Sequence, residues 1–375
     1  MTRLKSKNFK GISITTLALF LIFQPIPLGL GKFELISSSI IGFIILLINK
    51  EIIIKKKILL LFTFLILILG TIYSITFYEE SFYVWQFFRS LTLTYIFLIF
   101  MFADIKISFF EKIDKYLPFL ILCALINILM YFVGLDFYNS PLQLHQEVGR
   151  FYIFYLELIF FTSIIFLANL NIWLLSNFFI LSVTFSKEVF LKIFIIILPF
   201  FFYFKKNFRE KIYFLLICFI MIIYALSSSL KERIEIFYLL GDNYRASEFN
   251  SVLSRLTDPI RFLIGNGAGV KYKNILHEDT LASEISNNFF FDVHNLFLKL
   301  CLLFGFPLAF ILLILFYKSL SLKNFFFRIL IIIHIITLPA VSIFLAISIR
   351  YLNYKFSTIT KISKKISATN KKIHI

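Results

Sequence analysis

Charge is scarce in this chain. Only 16% of its 375 residues are Asp, Glu, Lys or Arg, whereas 60% are hydrophobic and 52 are Phe. A soluble domain of that make-up could not hide its apolar surface, since ordinary globular composition is about 45–50% apolar. Cysteine is nearly absent. Cys123, Cys218 and Cys301 each fall inside a predicted helix, so none can pair across a loop and a disulfide framework is excluded. There is no Gly/Ser linker, no internal repeat and no separate soluble domain, and 1–375 is expected to be one integral membrane domain. Asp-x-Asp pairs and His/Cys clusters at metal spacing are also missing. No metal and no cofactor are therefore expected, and any phosphate charge should be met by Arg and Lys.

What the chain does have is long apolar runs, and about eighteen or more apolar residues in a row can span a bilayer. Helices are predicted at 11–30, 33–49, 58–76, 84–102, 117–134, 150–169, 172–185, 189–204, 212–230 and 295–317. The fold class expected is all-α, a polytopic membrane bundle of about 12 transmembrane helices. A last apolar region, 324–354, splits into two short spans if it turns at Leu338-Pro339, and leaves 11 spans if it does not. The first segment, after Lys5, Lys7 and Lys10, is long, carries QPIP at 24–27 and lacks a small-residue cleavage site, which predicts a retained anchor.

The net charge of +17 suggests nucleic acid until its location is considered. With the N-terminus inside, cytoplasmic edges carry most of the 38 Lys and Arg and few of the 21 Asp and Glu, while the outer side is near neutral. That is the positive-inside asymmetry, so a lipid bilayer is the expected partner and nucleic acid is not. Both termini should be cytoplasmic. The basic tail from Lys355 to Lys372 can also meet anionic lipid.

Most connections are short, but 231–290 forms a long outer loop between the ninth and tenth helices. Its stretch EFNSVLSRLTDPIRFLIG (248–265) has near-helical apolar spacing interrupted at Asp258-Pro259. Two short amphipathic helices lying on the outer membrane surface are expected, with Arg245, Arg255 and Arg261 projecting. GNGAG follows. Gly265, Gly267 and Gly269 fit either a plain turn or a backbone cradle for phosphate oxygens.

Other polar residues gather on that side: Arg89, Arg150, Lys187, His294 and Asn295. Interfacial anchoring explains such residues without chemistry. Glu157, Lys192 and Lys299 lie deeper, where ionisable groups default to functional hypotheses. A Glu157–Lys192 pair that fixes helix register is the structural alternative. His334 is read as a hydrogen-bonded core residue. A His beside cations at a membrane surface suits a lipid-linked pyrophosphate substrate, because imidazole can take a hydroxyl proton near neutral pH.

These residues also carry a resemblance. VHNLFLKLCLLFGFPL (293–308), IRFLIGNGAG (260–269), VTFSKEVFL (183–191), GRFYIFYLEL (149–158) and YRASEFNSVL (244–253) resemble, in order and spacing, motifs of the O-antigen polymerase and O-antigen ligase family of bacterial inner-membrane polysaccharide glycosyltransferases. Lys187 stands where that family has Arg, which keeps the charge and loses the bidentate fork. The resemblance implies a metal-independent glycosyltransferase facing the periplasm. It implies His294 and Asn295 at the acceptor hydroxyl. Arg150, Lys187 and Arg245, with Gly265, Gly267 and Gly269, would hold the pyrophosphate of an undecaprenyl-diphosphate-linked oligosaccharide. Arg255, Arg261, Glu157, Lys192, Lys299 and Arg89 are secondary candidates. A chain-length regulator and a flippase of the same pathway are the implied partners. The expected function is a repeat-unit polymerase for O-antigen, capsule or exopolysaccharide. A ligase acting on the lipid A core, a flippase, and a polyprenyl-monophosphate sugar transferase using Glu79-Glu80 are the alternatives.

Overall fold

The computed structural model describes residues 13–23, 31–78, 82–132, 158–159, 162–163, 176–177, 180, 249–270, 272–273, 289–290, 295–320, 328–329, 332, 345–355 and 357. Within them the chain is helical, with two two-residue strand pairs. In chain order the elements are α1 Ile14–Phe23, α2 Gly31–Ile48, β1 Ile52–Ile53, α3 Lys57–Tyr78, α4 Val84–Phe102, β2 Asp104–Ile105 and α5 Ile107–Phe132. Then come α6 (249–256), α7 Pro259–Ile264, β3 Tyr272–Lys273, β4 Phe289–Phe290, α8 Leu296–Phe304, α9 Phe306–Ser319 and α10 (345–355). The helices expected at 150–169, 172–185, 189–204 and 212–230, and the turn at Leu338-Pro339, lie almost wholly outside the described residues.

Helix α3 explains the packing. Its buried positions are Leu60, Thr63, Leu67, Gly70, Thr71 and Ser74, a stripe at helical spacing that mixes apolar with small and polar residues. Its opposite face, Ile58, Leu61, Phe62, Leu65, Leu69 and Ile72, is exposed, Ile58 to 85%. This inverts the soluble pattern, in which the outward face is the polar one. Small residues inward let neighbours approach closely. The Thr63 hydroxyl lies 3.0 Å from that of Tyr95 on α4. α3 and α4 are, among the described residues, the helices long and apolar enough to cross a membrane.

Two helix boundaries differ from expectation. α5 starts at Ile107 rather than 117 and carries Pro118 within it. Residues 107–117 are amphipathic: Phe109, Phe110, Ile113, Tyr116 and Leu117 are buried, while Glu111 and Lys115 are exposed one turn apart. That burial holds the helix although Pro118 has no N–H to donate. The single helix expected at 295–317 is two helices. Gly305 divides them with φ +80, an angle no α-helix contains. Pro307 then opens α9 near its first turn.

At one end of the bundle the turns α2–α3 and α4–α5 are joined by an antiparallel ribbon that pairs Ile52 with Ile105 and Ile53 with Asp104. Below it Glu51, 8% exposed, accepts from Ser108 (2.9 Å) and Lys112 (3.1 Å), and Lys112 also donates to Thr15 at the start of α1 (2.7 Å). Burial pushes the Glu51 carboxyl up, but the Ser108 and Lys112 hydrogen bonds, with the charges of Lys112 and Lys106, outweigh it and leave it below the ordinary carboxylate range. α10 is fastened at the same end. Arg350 donates to the Ala103 carbonyl (2.8 Å), and Tyr351 and Lys355 both donate to Asp114.

Candidate functional site

At the far end of α3, the loop expected to rest on the surface is built into the bundle. The two short helices are present and break at Asp258-Pro259 as the sequence suggests. However, α7 packs against α3, α8 and α9. Arg261 does not project. It is 4% exposed, and its guanidinium carbon lies 3.4 Å from the centroid of the Tyr78 ring. Arg255 is half-buried. The physical reason is that α7 is too short to hold itself together and is stabilised by burying one face.

GNGAG forms a joint. Gly265, Gly267 and Gly269 all have positive φ (+74, +78 and +73), and residues 265–270 are all buried. A Cβ on Gly267 would overlap the backbone nitrogen and hydroxyl of Thr71. One on Gly269 would come within 2.6 Å of Phe87 on α4, and one on Gly265 within 2.6 Å of the Gly305 nitrogen. The partners return the fit: a Cβ on Gly70 would lie 2.9 Å from the Gly267 nitrogen, and one on Gly305 would overlap the Leu263 carbonyl. Buried non-helical backbone must be satisfied internally. Gly265 N–H donates to the Arg261 carbonyl (2.8 Å), Asn266 N–H to Leu302 (2.6 Å) and Ala268 N–H to the Thr71 hydroxyl (2.9 Å). Tyr83 N–H donates to the Gly269 carbonyl (2.9 Å). These glycines thus serve close packing, and three of the loop's amides are occupied by protein acceptors.

Asp258 fixes the entry to the joint. One carboxylate oxygen caps α7, accepting from Ile260 and Arg261 N–H at 2.8 Å each. The other accepts from Tyr73 (3.3 Å) and Tyr78. The Tyr78 hydrogen bond, ahead of the backbone donors, holds the Asp258 carboxyl below its usual range. A depressed carboxylate stabilises the fold above its unfolded value, near pH 4, and that contribution is lost as pH falls through the depressed one. Asp258→Ala should therefore cost about 1 kcal/mol, the usual loss for a helix cap. The difference from wild type should shrink in melts taken below pH 4. A loss that persists unchanged at low pH would contradict the assignment.

β3 and β4 pair Tyr272 with Phe290 and Lys273 with Phe289, so the chain leaving the joint runs beside the chain that leads to α8. Asn295 caps α8, its side-chain oxygen accepting from Leu298 N–H at 3.0 Å. Lys299, one turn further, is 2% exposed. Arg89 is half-buried and donates to Gln86 at 3.4 Å. The structure thus brings Gly265 and α7, which carries Arg261, against the junction of α8 and α9, while Gly267 and Gly269 sit against Thr71 of α3 and Phe87 of α4. Asn295 and Lys299 are the candidates on α8 itself. His294, Arg150, Lys187, Arg245, Glu157, Lys192, His334 and Glu79-Glu80 lie outside the described residues.

Sequence reading missed Gly70, Thr71, Tyr73, Tyr78 and Gly305. For Gly70 and Gly305 the available signal was a small residue inside an apolar helix, where membrane helices approach closely. Comparison with known proteins supplies no relative: no family model, no curated protein and no solved structure matches this chain.

Proposed function

We propose that the chain is a polytopic membrane glycosyltransferase of the O-antigen polymerase type. It joins undecaprenyl-diphosphate-linked glycans at the periplasmic face of a bacterial inner membrane. The observation that carries this reading is the clasp between Gly265 and Gly305. It ties IRFLIGNGAG to VHNLFLKLCLLFGFPL, two of the five stretches that bear the resemblance. A transferase of this type needs its outer loop and its His-Asn helix held in fixed register, because a small misplacement of reacting groups costs large factors in rate.

The membrane assignment draws support from the inverted face of α3 and from the length of α3 and α4. The start of α1 and the end of α10 meet the same end of the bundle, Thr15 at Lys112, and Arg350, Tyr351 and Lys355 at Ala103 and Asp114. Helix ends that share one side of a bundle favour an even number of crossings between them, hence twelve over eleven. In the proposed reaction His294 takes the acceptor proton, and Arg150, Lys187 and Arg245 hold the donor pyrophosphate. The glycine joint positions α6 and α7.

The test is the lipopolysaccharide banding pattern of a deletion strain. Loss of a polymerase leaves a single repeat on the core. Loss of a ligase leaves a bare core with polymer still on lipid. An unchanged ladder, with capsule or exopolysaccharide chain length also unchanged, would overturn the proposal.

A further inference from the structure

The end of the bundle opposite the joint has a surface that the proposed reaction does not use. We propose that this tip binds anionic phospholipid headgroups in the leaflet beside it, an inference that rests on the membrane reading above. The β1–β2 ribbon pins two turns together, so Lys50, Lys55, Lys56, Lys57 and Lys106 share one surface, and all five are exposed. Of the acids in those turns, Glu51 is withdrawn, pointing inward to Lys112 and Ser108, while Asp104 stays exposed and pairs with Lys55 alone at 3.0 Å. What faces outward is a surplus of ammonium groups.

Two further features distinguish the tip from a merely solvated basic face. Lys56 holds φ of +52, which is unfavourable for any residue with a Cβ, whereas the +53 at Lys50 is the left-handed cap that ends α2, with Lys50 N–H bonded to Leu47 and Glu51 N–H to Leu46. Strain of that kind is kept where the surroundings demand a particular side-chain direction. Lys56 is also steadied by the Phe102 ring, 4.7 Å from its ammonium. In addition, Ile53, Ile58 and Ile107 are exposed among the lysines. Isoleucine that enters the acyl boundary, with ammonium groups at headgroup level, is the arrangement of an interfacial anchor. A zwitterionic headgroup has no net charge to match this surface, whereas a phosphatidylglycerol phosphate does.

Each lysine near an anionic surface is worth about fivefold in affinity. Combining Lys50→Gln, Lys57→Gln and Lys106→Gln should therefore weaken binding roughly 100-fold. The full chain in detergent would be titrated with phosphatidylglycerol, with phosphatidylcholine, and with inorganic phosphate, and read by native mass spectrometry and thermal melting. Saturable binding and a raised melting temperature with phosphatidylglycerol alone support the proposal. A control removes the same charge from the C-terminal tail, by Lys364→Gln, Lys365→Gln and Lys371→Gln. If the tail variant loses as much as the tip variant, the attraction is diffuse and the site is refuted. An equal response to phosphatidylcholine or to inorganic phosphate refutes it as well. A chain washed from membranes by alkaline carbonate sinks the membrane reading itself. One that stays embedded but ignores phosphatidylglycerol sinks only this inference.

Discussion

Gly267→Ala is expected to destabilise the protein by about 3 kcal/mol or more. Two costs combine. An alanine at φ +78 carries the left-handed penalty of about 1–2 kcal/mol. Its methyl would also overlap the Thr71 backbone and hydroxyl, and overpacking of a well-filled site typically costs 1–3 kcal/mol. Relief cannot come from a rotamer change alone, because two of the clashing atoms, the Thr71 nitrogen and Cα, belong to the helix backbone of α3. The joint would have to open, taking with it the Ala268 N–H bond to Thr71. Thermal melts in detergent should therefore shift down, and the 231–290 loop should become more open to limited proteolysis. Thr71→Ser keeps the acceptor hydroxyl and should be close to wild type. If Gly267→Ala melts within half a kilocalorie of wild type, the clasp is not holding the loop.

The helices of the N-terminal third were legible because their ends are marked chemically. Lys55, Lys56 and Lys57 stop one apolar run and start the next, and α4 falls where its hydropathy places it, 84–102. Asp258-Pro259 was legible for a related reason: a capping carboxylate followed by proline is a local helix-start signal. What escaped was set by contacts between segments far apart in sequence. The apolar run at 295–317 reads as one helix straight through Gly305, and only its meeting with Leu263 and Gly265 requires the break. Arg261 looked like the polar edge of a surface helix, and its burial follows from where α3, α8 and α9 lie. Tertiary packing overrode both local readings.

Replacing His294 by Ala is expected to lower turnover by roughly 100-fold or more, the range for a lost acid/base group, with membrane insertion intact. Its neighbour gives the comparison that makes this informative. Asn295 caps α8 through the Leu298 amide, so Asn295→Ala should lose about 1 kcal/mol of stability as well as any chemical role. Asn295→Ser keeps a capping oxygen. If Asn295 acts only as a cap, the serine variant should retain both stability and activity; if it also orients the imidazole, activity alone should fall. Arg150→Ala should match the His294 loss, and Arg150→Lys should recover only part of it if a forked contact to phosphate matters. Arg255→Ala should be milder. In vitro elongation of lipid-linked repeats, scored at equal amounts of inserted protein, reads all six variants. Full activity in His294→Ala would remove the proposed base and, with it, the reason for placing the chemistry at the start of α8.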